Sequence, residues 1–220
     1  MSSLLSIVLF LSEIIGIYFL SRIVLQMAYR VLNRYGGRKT VIIILAILYE
    51  PGTIIHELSH YFVALLLNMH PQEVSIFPQI LGNKIRLGHV IYSKDKSDFI
   101  RPILVGIAPL FGGLAVLLLI VYSKMFPGTQ AWQTLLFGYL ILTITANMFS
   151  SSQDLVDIIY ILPVIIGIFL IIYLFHITLD PSVVQRIQGA LQFFIQAIQP
   201  ALLFSLAFHA ILGVALSRFK

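Results

Sequence analysis

Long apolar stretches constrain the fold of this chain more than any other feature of its sequence. A helix needs about 20 apolar residues to cross the hydrocarbon core of a bilayer. Six stretches of roughly that length carry few charged side chains, namely 4–27, 41–68, 102–121, 132–149, 155–175 and 200–216. The sequence therefore predicts an all-α polytopic membrane protein with about six transmembrane helices.

The composition supports a membrane environment and limits the kinds of site. Hydrophobic residues make up 59% of the 220 residues and charged residues only 10%, whereas soluble domains are about half apolar and a quarter charged. There is no cysteine, so any metal must be bound by His, Asp or Glu. The net charge of +5 comes from Lys and Arg at the ends of the apolar stretches. This pattern indicates a lipid bilayer as partner and no nucleic acid.

The chain is predicted to form one transmembrane domain, 1–220, with its core at 41–176. Within the loop 69–101, two runs rich in Val, Ile, Phe and Tyr, 73–77 and 85–92, flank a turn at 81–83 and predict a small membrane-associated β-hairpin. The apolar spacing of 177–199 predicts an amphipathic helix, so that 181–217 holds this helix and the last span. Lys and Arg are equally numerous on the two predicted sides, and the positive-inside rule does not fix the orientation.

The segment HELSH, His56 to His60, lies inside the second apolar stretch. Residues four apart on a helix share one face, so the imidazoles of His56 and His60 can bind one metal ion. Glu57 lies beside the first ligand, where a carboxylate can act as general base on a water molecule. Ionisable residues within membrane helices are rare and usually functional. The motif therefore predicts a zinc (Zn2+) site within the bilayer.

A catalytic zinc site usually has a third protein ligand. The acids in or beside the apolar stretches are Glu13, Glu50, Asp154 and Asp157. The motif lies close to the hairpin side of the membrane, where the fifth stretch begins, so Asp154 and Asp157 are both within reach of the metal. Glu50 precedes Pro51 on the far side of the motif, and the position of Glu13 is unconstrained. The other histidines, His70, His89, His176 and His209, are expected at interfaces or between helices.

The order of these features resembles the site-2 protease family of intramembrane zinc metalloproteases. The resemblance covers about residues 53–157: HELSH in a transmembrane helix, a hairpin, a span that opens with 106–109 (GIAP), and Asn147 before a helix that carries carboxylates. It implies zinc ligation by His56 and His60 and a base role for Glu57.

The third-ligand motif departs from the family pattern. That pattern has Asn, then Pro three residues later, then Leu-Asp-Gly, whereas this chain has Asn147, Ser150 and then Gln153-Asp154-Leu155. The resemblance still implies Asp154 as the third ligand, with Asp157 as the alternative. It also implies that Asn147 contacts substrate or the oxyanion. The other interpretation of Asn147 is an amide that bonds the backbone at a helix end.

The predicted function is hydrolysis of a peptide bond in a membrane-spanning protein substrate. The resemblance also implies a cell-membrane location with the hairpin in the cytoplasm. We expect the run 85–92 to pair with the unwound substrate, because an open strand edge supplies partners for its peptide groups. Two alternatives stay open, a non-proteolytic scaffold that keeps the motif and a small metal transporter. A transporter would need further ligands along a pathway, and the sequence has no repeated ligand motif.

Overall fold

The computed structural model describes residues 3–76, 79–81, 84–86, 89–92, 98, 100–148, 152–176 and 180–219, with the backbone alone at 3, 79–81, 84–86, 89, 92 and 152–162. Over this part the chain forms six helices, α1 (Ser3–Leu32), α2 (Arg38–Leu66), α3 (Ile100–Tyr122), α4 (Ala131–Asn147), α5 (Ser152–Leu174) and α6 (Pro181–Ser217). Four short strands, β1 (Pro71–Ser75), β2 (Gln79–Leu81), β3 (Lys84–Arg86) and β4 (His89–Tyr92), lie between α2 and α3.

Four helices, α1, α2, α3 and α6, are long and apolar enough to cross a membrane among the described residues. The prediction of six spans is therefore corrected. Helix α4 has 17 residues, about 25 Å at the helical rise, which is short of a hydrocarbon core of about 30 Å. In α5 the described apolar side chains run only from Pro163 to Leu174. Helix α6 continues through Pro200, where the sequence predicted an amphipathic helix followed by a separate span.

Large apolar side chains point outward on several helices. Leu135 of α4, Phe169 of α5 and Ile211 of α6 are all largely exposed. An apolar exterior of this extent would aggregate in water but suits contact with lipid chains. The long apolar helices and the apolar exterior are those of a helical membrane protein.

The segment after α2 contains two antiparallel strand pairs where the sequence predicted one β-hairpin. β1 pairs with β4 in antiparallel fashion, with Glu73 opposite Ile91, and β2 pairs with β3 in the same sense. The predicted strand 85–92 is thus divided between β3 and β4. The predicted turn residues 82–83 and residues 87–88 lie outside the described part of the chain.

Helix α3 is the central helix, since half of its most apolar stretch is buried inside the protein. It contacts α2, α4, α5 and α6, while α1 packs along α6 and α2 packs against α3 and α4. The main core is formed by side chains from α3, α4 and α6 that are almost fully buried, among them Leu117, Ile141, Ile144, Ile198 and Leu202.

Two glycines allow the close packing of α2 against its neighbours. A Cβ atom at Gly52 of α2 would overlap the Thr143 carbonyl group of α4. A Cβ atom at Gly112 of α3 would overlap the Ser59 hydroxyl, which lies within the HELSH segment. Small residues let membrane helices approach closely enough for backbone contacts. These two positions therefore hold the motif between α3 and α4.

Substitution of Gly52 tests this packing. Gly52→Ala should lower the stability of the detergent-solubilised protein by about 1–3 kcal/mol, because the methyl group meets a backbone carbonyl that cannot move aside. Gly167→Ala in α5 is the matched control, since in the described part of the chain no atom beyond the adjacent residues and the local helix backbone lies within 4 Å of a Cβ there. Thermal unfolding of both variants measures the difference, and equal midpoints would contradict the packing argument.

Candidate metal centre

The two motif histidines are each bonded to a different neighbouring helix. Nδ1 of His56 lies 2.8 Å from the Asn147 carbonyl oxygen of α4. Nδ1 of His60 lies 2.8 Å from the Val105 carbonyl oxygen of α3. A carbonyl oxygen can only accept, so each Nδ1 carries the proton and donates it. In the neutral form of each imidazole, Nε2 is therefore the acceptor atom.

Both acceptor carbonyls lack a donor within their own helix. The partner of the Val105 carbonyl would be residue 109, which is proline and has no N–H. Asn147 is the last residue of α4, and its carbonyl is one of the four that a helix leaves unsatisfied at its end. The sequence thus provides one acceptor through Pro109 and the other through the end of a helix.

The two Nε2 atoms face each other at 3.1 Å, with the rings nearly perpendicular at 87°. Two nitrogen ligands at about 2.0–2.1 Å from one tetrahedral zinc ion are about 3.3 Å apart. Metal-binding histidines usually donate their other ring N–H to a carbonyl or carboxylate. Two lone pairs at this distance repel unless a cation or a proton lies between them. The pair therefore fits a shared zinc ion in both spacing and tautomer.

Glu57 follows His56 in α2, and its side chain is 7% exposed. It lies about 100° around the helix from His56, on the flank of the histidine pair. A buried carboxyl group in a membrane helix is costly, and such groups are usually functional. The position of Glu57 next to two potential metal ligands therefore favours a role at the metal site.

The Asn147 side chain ties α4 to α2. Its amide nitrogen donates to the Thr143 carbonyl at 2.8 Å and lies 3.4 Å from the Tyr49 carbonyl. About two turns before Asn147 in α4, the Tyr139 hydroxyl donates to the Leu48 carbonyl of α2 at 2.6 Å. These contacts favour the interpretation of Asn147 as an amide that bonds the backbone. Its substrate or oxyanion role remains a prediction.

The third-ligand prediction falls on residues whose side chains lie outside the described part. Asp154 and Asp157 are in the first two turns of α5. Helix α5 packs on α3, whose Val105 carbonyl accepts from His60. Glu13 is in the α1–α6 interface, where its carboxylate accepts from Gln199 at 3.3 Å. Among the described residues, no group of three or more His, Asp or Glu could hold a metal ion.

Sequence reasoning identified the motif but missed the groups that orient it. These are the carbonyls of Val105 and Asn147 and the two glycines of the helix contacts. Pro109 was a usable signal for Val105, because proline always removes the donor for the carbonyl four residues earlier. Comparisons of the chain with protein-family models, curated proteins and solved structures found no match.

Pro109 provides a test that leaves every ligand in place. Pro109→Ala supplies an N–H that competes with His60 for the Val105 carbonyl, so zinc affinity should fall about tenfold, as it does when outer partners of a ligand are lost. Pro163→Ala in α5 makes the same chemical change at an exposed site and should leave affinity unchanged. Competition with a zinc chelator measures both dissociation constants, and equal values would refute the role of Pro109.

Proposed function

We propose that this chain is an intramembrane zinc metalloprotease that resembles the site-2 protease family. The observation that carries the proposal is the facing pair of Nε2 atoms of His56 and His60, each ring fixed by a backbone carbonyl. A non-proteolytic scaffold role would not require two acceptor atoms to face each other at 3.1 Å. Glu57 beside this pair supports a hydrolytic site over a site that only transfers metal.

In this proposal His56, His60 and Asp154 would hold the zinc ion, with Asp157 as the alternative third ligand. Zinc, when bound, would polarise the scissile carbonyl and make a water molecule more acidic. The Glu57 carboxylate would take the proton of the attacking water and later deliver it to the departing amine. The carbonyls of Val105 and Asn147 would keep both imidazoles in the tautomer that binds metal.

The substrate would be a membrane-spanning protein, because the histidine pair lies within α2, one of the four helices in the described part of the chain that are long and apolar enough to cross the bilayer. A helical substrate must unwind before its peptide bonds can be cut, which exposes its N–H and C=O groups. Among the described strands, β4 pairs only with β1, and both contact α2. The outer edge of β4 would bind the unwound segment as an added strand.

The location follows from the same resemblance. We place the protein in the cell membrane with the strand segment on the cytoplasmic side. Its biological role would be the release of a membrane-tethered protein.

Glu57 tests the reaction itself. Glu57→Gln should keep one zinc ion per chain and lower cleavage of a transmembrane substrate at least about 100-fold, because general-base catalysis contributes about that much or more. Glu50→Gln is the matched control, a carboxylate on the same helix outside the motif. Metal analysis and cleavage are measured on the same purified samples. Cleavage by the Glu57→Gln variant at the rate of the unmodified protein would overturn the proposal.

The strand edge is tested by a pair of proline variants. Ile91 and Glu73 are opposite each other, so proline at either position disturbs the β1–β4 ladder to a similar extent. Only Ile91→Pro perturbs the backbone of β4 itself, the strand whose outer edge would bind substrate. At equal zinc content, the Ile91→Pro variant should cleave the substrate much more slowly than the Glu73→Pro variant. Equal cleavage by the two variants would refute substrate binding at β4.

A further inference from the structure

A cavity of about 640 Å³ lies between α1, α2 and α4, apart from the histidine pair. Three arginines line it, Arg22 and Arg30 of α1 and Arg38 of α2. Among the described residues that line it, none is Asp or Glu. The cavity therefore carries a formal charge of +3 from its walls and attracts an anion.

Two of the three arginines lie at the depth of a lipid head group. Arg30 is in the last turn of α1 and Arg38 is the first residue of α2, so both lie at the same end of the two helices. Arg22 is two turns deeper, about 12 Å along the helix axis, with its guanidinium 5.0 Å above the Tyr18 ring. Arginine binds phosphate oxygens through several N–H groups at once.

The rest of the lining is largely apolar and suits a hydrocarbon chain. Leu25, Ile42, Leu45 and Ala46 line the cavity on the inner side of Arg30 and Arg38. A site with two cations at the membrane surface and apolar side chains below them matches an amphiphile, whereas a small soluble anion would need only the outer part. Its volume lies in the usual range of ligand sites, about 300–1,000 Å³.

We propose that this cavity binds an anionic membrane lipid, with the phosphate head group at Arg30 and Arg38 and an acyl chain along Leu45 and Ala46. Basic pockets between transmembrane helices bind phospholipid head groups in this way. The inner end of the cavity is lined by Thr53 and Asn147, and the Asn147 carbonyl accepts from His56. The bound lipid thus lies against the residue that orients one of the two histidines. This proposal does not depend on proteolytic activity.

Native mass spectrometry of the full-length protein in neutral detergent tests the proposal. The protein is titrated with dioleoylphosphatidic acid, dioleoylphosphatidylcholine or inorganic phosphate. We expect one phosphatidic acid to bind at saturation, at least tenfold more tightly than phosphatidylcholine. Arg38→Gln should weaken this binding at least fivefold, whereas Lys39→Gln, which removes the same charge from the next residue outside the lining, should not.

A second variant keeps the test decisive if loss of an arginine impairs folding. Ala46→Leu retains every charge and fills part of the apolar section, so it should weaken phosphatidic acid binding as well. Equal binding of the two lipids would overturn the proposal, and so would equal affinities of the Arg38→Gln and Lys39→Gln variants. Binding of inorganic phosphate as tight as that of phosphatidic acid would assign the site to a soluble anion and overturn the lipid assignment.

Discussion

Two hydrogen bonds from imidazole Nδ1 atoms to backbone carbonyls determine the arrangement at the centre of this protein. A polar group left unsatisfied in hydrocarbon costs several kcal/mol, so each histidine needs an acceptor from a neighbouring helix. His56 finds it at the end of α4 and His60 finds it in α3, one turn before Pro109. Helix α2 must therefore lie against both helices at once, and the glycines at 52 and 112 make that approach sterically feasible.

The same contacts link the histidine pair to the rest of the molecule. The Asn147 carbonyl accepts a hydrogen bond from His56, and its side-chain amide donates to the Tyr49 carbonyl of α2. Asn147 also lines the arginine-rich cavity. A ligand in that cavity and a metal ion at the histidines would thus share one helix terminus as a wall. An element that contacts two sites can couple them, and both α2 and the C-terminal end of α4 contact the cavity and the histidine pair.

The differences between the expected and observed helices have physical causes. Hydropathy measures how much apolar sequence is present, but not how a helix is placed or how far it continues. Helix α4 was predicted to span because it is apolar, yet it has 17 residues and packs against α2, α3 and α6. Pro200 suggested a boundary, but α6 continues through it, since a single missing N–H is tolerated in a membrane helix when neighbours compensate.

The sequence by itself determined the membrane class, the main helices and the identity of the motif, because these depend on local composition and on the spacing of HELSH along one helix. It also contained Pro109, whose missing N–H leaves the Val105 carbonyl available. Only the tertiary structure decided which carbonyls the imidazoles meet, that both Nε2 atoms face each other, and that arginines from two helices line one cavity. Those facts depend on contacts between residues as far apart as His56 and Asn147, and the spacing of residues along one helix contains no information about how separate helices pack.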